Sequence, residues 1–460
     1  MTDLSSGGRG GRSYTRREVI RGAVGTGAAL SMAPLLAACG GSSSSSSGGS
    51  AGSGGGGPIT IGSFSDPAMV PFRDTFLPKY QQETGNKVKY NETNYDAWYQ
   101  NCKNDGLQKT GAYDIYVMDD NWVPEFAASG ITQSLDKLGL KVNSDILAKG
   151  LEQGYWPPKS GPRLKAFADA TPELHALVII DDVEMLYYNT DHFSSAPATW
   201  DDIYAVAKTT TPPSLYGWTA RGVAGNPIVQ TYLPLLNSYG GNFVNDDWSA
   251  GFAGPEGVAA LERLFTFIPY MPSGVAAFDT DQETALFLQG KATAMTEYTG
   301  TAHGVDDPSV SKVVNKVDFA ATPKQEKSGP AIGTFICGIA SGAPNPAGAV
   351  AFLEWFTSSK VQQEFAAGGS AAVTGSALRD ATLGKKYRWL PAIADAVDNS
   401  VPKPKTPDEP KMEDLLGTAL NQALVEAISK KSGYQQIAQS HLSTAAKQIN
   451  DYTKQQGTYF

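Results

Sequence analysis

The chain has 460 residues, enough for two or three domains, and its 41% hydrophobic and 10% aromatic residues can bury a sizeable core. Its formal net charge of −9 is unevenly spread, because residues 1–38 carry five Arg against two acidic side chains and the remainder has a net charge of −12. An acidic body without a concentrated basic segment lacks the counterion-release energy that drives nucleic-acid binding, so we expect no nucleic-acid partner.

The first 38 residues have the order of an export signal. A basic segment includes the pair Arg16 and Arg17, and residues 22–38 that follow carry no charge. This apolar stretch is shorter than the roughly 20 residues of a membrane span and is interrupted by Gly and Pro, so a permanent span is the weaker interpretation. The segment resembles a twin-arginine signal.

A possible lipidation site and a tether follow the signal. Residues 36–39, Leu-Ala-Ala-Cys, resemble a lipobox, and the next 18 residues are Gly and Ser with a single Ala. We therefore expect lipidation at Cys39, a flexible tether over 39–57, and a protein anchored to the outer face of the cytoplasmic membrane. The alternative is a basic disordered tail with an incidental cysteine.

From residue 58 onward, short apolar runs alternate with amphipathic stretches, which indicates an α/β architecture. Strands are predicted over 59–64, 87–91, 113–118, 177–189, 291–296, 317–321 and 334–340. Helices are predicted over 71–83, 95–107, a segment ending at 128, 200–208, 226–239, 255–268, 280–289, 345–356, 412–429 and 434–452. The Pro-rich residues 401–410 are predicted to be a surface loop.

Several local signals support these elements. Gly85 suits the left-handed position that ends a helix, Thr199 with Asp202 forms a capping box, and Pro255 suits the first helical turn. Cys337 lies in an apolar run and is expected to be a buried small side chain, whereas a bridge between Cys102 and Cys337 stays open.

Four segments of the body carry a family resemblance. They are residues 114–136, with Asp-Asp-Asn-Trp at their centre, 178–202, with Leu-Tyr-Tyr-Asn, 287–295, with Phe-Leu-Gln-Gly-Lys-Ala, and 333–353, with Asn-Pro. In this order, behind a signal and a tether, they resemble the extracellular solute-binding proteins of ABC importers. The branch that they resemble binds carbohydrates and includes maltose-binding protein.

The resemblance implies a two-lobed fold of periplasmic-binding-protein type II. Two α/β lobes are joined by a hinge of two or three chain crossings, and the ligand lies in the cleft, which closes on binding. We expect lobe 1 over 58–174 and 297–340, and lobe 2 over 175–296 and 341–460. The implied partners are a sugar or polyol and the membrane subunits of the importer, and we expect a monomer without a cofactor.

A sugar presents hydroxyl groups and apolar CH faces, so its site needs carboxylates or amides together with aromatic rings. Asp119, Asp120 and Trp122 follow a predicted strand at its carboxyl end, where open α/β sheets bind ligands. The alternative for these three residues is a helix cap with a core Trp.

The resemblance adds further site residues. Asp182 lies seven residues before Asn189, where maltose-binding protein has an acidic residue that contacts sugar, and Tyr298 stands where the family commonly has an aromatic ring. For Tyr298 the alternative is core packing. The weaker candidates are Glu297, Phe64, Ser65 and Asp66 after the first strand, Gly333 and Thr334, Asn226, Gln230 and Asn242 of the second lobe, and Asp181 and Glu184, which are either solvated or at the cleft border.

These residues predict a binding protein for a neutral sugar or sugar alcohol, not an enzyme. The chain has four His, without an HExxH pair or a CxxC, so no metal site is expected. Two alternatives stay open. One is a cationic ligand such as a polyamine, neutralised by Asp119, Asp120, Asp181, Asp182 and Glu184. The other is a secreted hydrolase with paired carboxylates.

Overall fold

The computed structural model describes residues 57–459 of the chain, so the predicted export signal, Cys39 and most of the tether lie outside the described residues. The strands in this part are β1 (Ile59–Phe64), β2 (Val88–Thr93), β3 (Ile115–Asp119), β4 (Tyr155–Trp156), β5 (Glu173–Leu174), β6 (Ala176–Ile180), β7 (Glu184–Asn189), β8 (Ala294–Tyr298), β9 (Val317–Ala321) and β10 (Phe335–Ile339). The α-helices are α1 (Leu77–Thr84), α2 (Tyr95–Gln108), α3 (Val123–Ala128), α4 (Ala148–Glu152), α5 (Trp200–Ala207), α6 (Asn226–Ser238), α7 (Pro255–Thr266), α8 (Thr280–Leu288), α9 (Ala302–Val305), α10 (Pro346–Phe356), α11 (Ser359–Ala367), α12 (Gly375–Leu378), α13 (Ala381–Lys386), α14 (Trp389–Asn399), α15 (Glu409–Lys430) and α16 (Tyr434–Gln456).

Five strands form one sheet in the order β2-β1-β3-β10-β6. β1 pairs in parallel with β2 and β3, whereas β10 runs antiparallel to β3 and β6. β3, β6 and β10 are buried almost throughout, which explains their continuous apolar runs in the sequence. With this pairing, the carboxyl ends of β1, β3 and β6 lie at one edge of the sheet, beside the amino end of β10.

Three strands form a second sheet, in which β7 lies between β8 and β9 and pairs antiparallel with both. The apolar run over 177–189, predicted as one extended stretch, is therefore two strands in different sheets. Residues 181–183 carry the chain from the first sheet to the second, where Glu184 pairs with Tyr298. The architecture is a two-lobed α/β fold, as the sequence predicts.

The strand pairing divides the chain at other points than the predicted lobe boundaries. β9 belongs to the second sheet, although residues 297–340 were expected in lobe 1, and β6 belongs to the first sheet, although residues 175–296 were expected in lobe 2. Helix α10, expected in lobe 2, packs on β10 of the first sheet. The reason is that strand partners distant in sequence leave no local signal, and an uninterrupted apolar run does not mark a change of sheet.

Local signals predict several element ends correctly. β1 and β9 have the predicted bounds, and Gly85 adopts the left-handed conformation after α1, with φ at 74°. The Thr199 hydroxyl accepts from the N–H of Asp202 (3.1 Å), whose carboxylate accepts from the N–H of Thr199 (2.9 Å). This capping box begins α5, and Pro255 is the first residue of α7.

Other predicted elements differ from the structure. The helix predicted over 71–83 is a π-helical turn (Phe72–Phe76) followed by α1, and the strand predicted over 291–296 is β8, which ends at Tyr298. Residues 401–410 are not a surface loop but a half-buried segment, which we name the strap. Its four prolines have no N–H, so the strap has fewer backbone donors to satisfy when it is buried.

The two cysteines of the body are free and buried, so the bridge that the sequence left open does not form. Cys337 lies in β10 as a small core side chain, as predicted, and Cys102 lies on α2, which packs against β1. Burial raises the pKa of both thiols. Among residues 57–459, no helix combines the length and the apolar character needed to cross a membrane.

Candidate functional site

Three carboxylates lie at the shared edge of the five-stranded sheet. Asp66 follows β1, Asp119 ends β3, and Asp182 follows β6. Phe335, at the start of β10, is opposite both Asp119 and Ile180 in the strand register, which places these strand ends side by side. Open α/β sheets bind their ligands at this edge. The fold therefore brings together three acidic residues that the sequence predicts.

Asp182 connects the edge of the first sheet to the turn that follows β8. Its Oδ1 accepts hydrogen bonds from the backbone N–H (3.0 Å) and the hydroxyl of Thr299, and its carbonyl accepts from the N–H of Gly333 (3.0 Å). Burial raises the pKa of Asp182 to about 8, and the charges of Asp66 and Asp119 add to the rise. Because both Thr299 bonds go to Oδ1, Oδ2 is the oxygen that Asp182 can offer to a ligand, as an acceptor when the group is ionised and as an O–H donor when it is protonated.

Asp119 and Asp120 have different partners. The Tyr95 hydroxyl donates to Oδ2 of Asp119 (3.0 Å), whereas Lys405 Nζ donates to Oδ2 of Asp120 (2.6 Å). Burial raises the pKa of Asp119 to about 7, the charge of Asp120 adds to the rise, and the charge of Lys403 opposes it. Asp120 is therefore neutralised by an ion pair, while Asp119 accepts from a neutral hydroxyl.

Phe64 and Trp122 belong to an aromatic cluster behind these carboxylates. Phe64 meets Tyr95 and Phe335 edge to face, with ring centres 5.2 and 5.3 Å apart. The ring of Trp122 is buried, and its Nε1 donates to the Tyr95 hydroxyl (2.9 Å). Both predicted residues thus lie where they support Tyr95, which in turn donates to Asp119.

A chain of hydrogen bonds fixes the hydroxyl of Tyr298. Glu413 Oε1 accepts from Nδ2 of Asn226 (2.9 Å) and from Nε2 of Gln230 (2.8 Å). Since the amide nitrogen of Gln230 is used in this way, its Oε1 accepts from the Tyr298 hydroxyl (2.8 Å). Tyr298 therefore donates its O–H proton inside the protein, and its oxygen keeps lone pairs that can accept from a ligand. Three predicted residues meet here, with Glu413 as a fourth that the sequence did not single out.

Behind Tyr298 lies a buried group of one cation and three carboxylates. Arg221 lies 3.0 Å from a carboxylate oxygen of Glu184 and 3.4 Å from one of Glu297. The third carboxylate, Glu283, is 3.7 Å away, and the guanidinium is 5.4 Å from the centre of the Tyr298 ring. Burial raises the pKa of Glu184 to about 8 against the opposing charge of Arg221. The two predicted residues Glu184 and Glu297 therefore belong to this buried cluster.

The remaining predicted residues lie around the same region. Gly333 faces Tyr298, because a Cβ added there would be 3.4 Å from the ring, and Thr334 beside it is buried. Asn242 is exposed and lines a small pocket beside the strap. Asp181 is buried at the crossing between the sheets, and within residues 57–459 neither of its carboxylate oxygens has a hydrogen-bond partner.

A cavity of about 240 Å³ opens beside the Asp182–Thr299 contact. Its walls are mostly apolar and include Ile180 at the end of β6, His303 on α9 and Trp389 on α14. The Trp389 ring packs against His303, with centres 5.1 Å apart. Because Ile180 ends β6 of the first sheet and α14 packs against β9 of the second, this cavity lies between the two lobes.

Sequence reasoning missed several residues of this region. Trp389 lies far along the chain from the strand ends, His303 follows the end of β8 on the short helix α9, and Arg221 lies in a loop without a periodic pattern. Lys403 and Lys405 have one weak signal, the Pro-rich composition of the strap. This composition predicts a loop but does not indicate that the loop is half-buried. Among the described residues, no group of three or more His, Cys, Asp or Glu side chains is arranged to hold a metal ion.

The two-lobed fold brings these polar side chains together at the edge where open α/β sheets bind ligands. The family model of the bacterial extracellular solute-binding proteins matches residues 62–363. The chain belongs to this family, as the resemblance of its four segments predicts. It is a solute-binding protein of an ABC transporter, and the family places it outside the cytoplasm.

Two curated relatives are similar in sequence. A probable amino-acid ABC transporter periplasmic-binding protein, y4oP, of Sinorhizobium fredii is 20% identical over 387 residues, which are 77% of this chain and 85% of that protein. The mannitol-binding protein of Pseudomonas aeruginosa is 27% identical over 229 residues, or 45% of this chain. That match spans about half of the mannitol-binding protein, 52% of its length.

Solved structures show the same fold. An ABC transporter solute-binding protein from Agrobacterium radiobacter K84, in complex with ribitol, is 25% identical with a TM-score of 0.67, over 85% of this chain and 98% of that one. One from Agrobacterium vitis S4, with bound D-mannitol, is 22% identical with a TM-score of 0.66, over 87% and 99%. Maltose-bound MalE3 of T. maritima is 18% identical with a TM-score of 0.70, over 86% and 100%.

Proposed function

We propose that this protein captures a neutral sugar or sugar alcohol outside the cytoplasmic membrane and delivers it to the membrane subunits of an ABC importer. The observation that carries the proposal is the set of acceptor oxygens at and beside the strand ends, namely those of Asp182, Asp119 and the Tyr298 hydroxyl. A polyol is a row of O–H donors that such acceptors bind. The ribitol and D-mannitol in the two Agrobacterium proteins support this ligand class.

The cationic alternative has less support, because its five acidic residues do not form one unpaired group. Asp120 is paired with Lys405, and Glu184 with Arg221. Asp181 is buried at the crossing between the sheets. The hydrolase alternative has no support from the family, whose members bind solutes.

Calorimetric titration tests the proposed ligand class. We expect ribitol or D-mannitol to bind with little change between low salt and about 1 M salt, where the screening length shrinks to about 3 Å. Spermidine, an amino acid and maltose serve as comparison ligands. Tight spermidine binding that weakens steeply with salt would favour the cationic alternative, and release of free sugar from an added glycoside would favour a hydrolase.

We also propose that ligand binding closes a hinge. The chain crosses between the sheets at residues 181–183, again between β9 and β10, and a third time between α11 and α14. A ligand favours the closed form through contacts with both lobes. Small-angle scattering at saturating ribitol or D-mannitol should therefore give a smaller radius of gyration than without ligand.

The membrane attachment is a further part of the proposal. It rests on the order of the Arg pair, the uncharged stretch, the lipobox and the Gly/Ser tether, which together suit a diacylated Cys39. We expect Cys39→Ala to move the protein from the membrane fraction to the soluble fraction, measured by immunoblot after a high-salt wash. Cys39→Ser is the matched control and should behave in the same way. Retention of either variant in the membrane would contradict lipidation at this residue.

A further inference from the structure

The strap, residues 401–410, brings two lysines into the candidate site. At its start, the N–H of Val401 donates to the carbonyl of Pro330 (2.9 Å), just before the crossing that leads into β10. At its end, Glu409 begins α15. The side chain of Lys403 is 10% exposed and that of Lys405 is 9% exposed, so both ammonium groups are held inside the protein.

Each lysine faces acidic groups of the site. Lys405 Nζ lies 2.6 Å from Oδ2 of Asp120 at the end of β3. Lys403 Nζ lies 3.4 Å from a carboxylate oxygen of Glu409 and 3.5 Å from one of Glu413. These pairs are formed within one chain, so the positive charge belongs to the site before any ligand arrives.

Lys403 also acts on the residues that present acceptors to the cleft. Burial raises the pKa of Tyr298, and the nearby charge of Lys403 opposes that rise, as it does for Asp119. Glu413, which contacts Lys403, also accepts from Gln230, whose amide fixes the Tyr298 hydroxyl. Lys403 Nζ lies 3.5 Å from the same Glu413 oxygen that accepts from Gln230, so its ammonium belongs to the hydrogen-bond network that holds the Tyr298 hydroxyl.

The strap is rigidly held, so its lysines cannot easily move away from a ligand. Its prolines fix their own φ angles. Thr406 is fully buried, and its hydroxyl shares a hydrogen bond with that of Tyr459 (2.8 Å). Asp408 accepts from the Tyr452 hydroxyl (2.6 Å). The backbone on either side of the two lysines is thus held by contacts with the rest of the protein.

We propose that Lys403 and Lys405 determine ligand specificity as resident counter-cations, which pair with Asp120, Glu409 and Glu413 beside the cleft and so select a neutral polyol and reject a cationic one. This inference rests on the proposed function and deepens it. A protonated amine entering the cleft would meet two fixed ammonium groups in a poorly solvated space, where like charges repel more strongly than in water. A hydroxyl group at the same position meets no such repulsion.

The test compares two ligands that differ by one charge. Calorimetric titrations measure D-mannitol against 1-amino-1-deoxy-D-mannitol, and ribitol against 1-amino-1-deoxy-ribitol, at low salt and pH 7. The wild-type protein should bind the amine at least tenfold more weakly than the parent polyol. We define the ratio as the dissociation constant of the amine divided by that of the parent polyol. In Lys403→Met and Lys405→Met this ratio should shrink at least tenfold, because each change leaves carboxylates without their cation.

Two control variants separate charge from structure. Lys403→Arg keeps the charge and should keep the wild-type ratio. Lys411→Met removes a lysine of α15 that is about half exposed and paired with Asp414, and it should leave both affinities unchanged. Circular dichroism checks that each variant is folded. If Lys403→Met does not fold, Lys405→Met and the wild-type ratio carry the test.

Each outcome separates the inference from the proposed function. Equal binding of polyol and amine by the wild-type protein would overturn the inference while the proposed function stands. An unchanged ratio in a folded Lys→Met variant would overturn it for that lysine. If the polyols, the amines and maltose all fail to bind to the wild-type protein, the proposed function fails and the inference fails with it. If maltose alone binds, the proposed function stands and the inference, which needs a polyol ligand, is overturned.

Discussion

Replacing Asp182 with Ala should weaken polyol binding by at least tenfold. The carboxyl group is half-buried where the chain passes from one sheet to the other, and its loss leaves ligand hydroxyls without a partner. A buried polar group left without its hydrogen-bond partner costs about 1–3 kcal/mol, and about 1.4 kcal/mol is already a factor of ten in affinity. Calorimetric titration with the preferred polyol measures the change. An affinity equal to that of the wild type would remove Asp182 from the binding site.

Asp182→Asn is the matched control, because it keeps an oxygen that can accept from Thr299. We expect it to bind more tightly than Asp182→Ala and less tightly than the wild type. It also tests the ionisation of this group. The folded-state pKa of about 8 lies above that of an unfolded Asp, about 3.9, so the folded protein holds a proton that the unfolded chain has lost. Stability should therefore fall as pH rises from about 4 to 8, and less steeply in Asp182→Asn.

Gly417→Ala should destabilise the protein, although Ala is favoured over Gly in a helix interior by about 1 kcal/mol. Gly417 lies in α15, where a Cβ would overlap the backbone carbonyl of Gly225, the residue that precedes α6. The overlap must move α15 away from α6, and such overpacking costs about 1–3 kcal/mol. Thermal unfolding should show a lower midpoint for this variant.

The same substitution should weaken ligand binding. Glu413 lies one helical turn before Gly417 and accepts from Asn226 and Gln230 of α6. Moving α15 would lengthen these bonds and release the amide that fixes Tyr298. Gly304→Ala in α9 is the control, because its Cβ would meet Leu288 at an ordinary distance of 3.6 Å. If Gly417→Ala matches this control in stability and affinity, the close approach of α15 and α6 has no role in the site.

Signals within a few residues predicted the local structure of this chain well. Gly85 and the Thr199–Asp202 pair place helix ends because their effect is on backbone groups one to three residues away. The expectation that ligands bind at the carboxyl ends of strands likewise predicted Asp119 at the edge of the sheet, since it requires only that one strand be recognised. Each of these signals involves only a few neighbouring residues, so it can be recognised from the sequence alone.

Contacts between segments that are distant in the sequence could not be predicted from such local signals. Lys405 and Asp120 are 285 residues apart, and Gln230 and Glu413 are 183 apart, so no periodicity connects them. The apolar run over 177–189 shows the same limit, because burial of every side chain hides the point where the chain changes sheets. The resemblance to a known family supplied the two-lobed architecture that these patterns could not.

The buried thiols of Cys102 and Cys337 make the protein suitable for conversion into an optical sensor. Burial and a raised pKa keep both thiols from reacting with maleimide dyes, and a form that begins at residue 58 contains no other cysteine. Val70 is exposed and lines the mouth of the interlobe cavity. A dye attached to Val70→Cys would therefore be the single fluorescent label, and its emission would report ligand concentration directly.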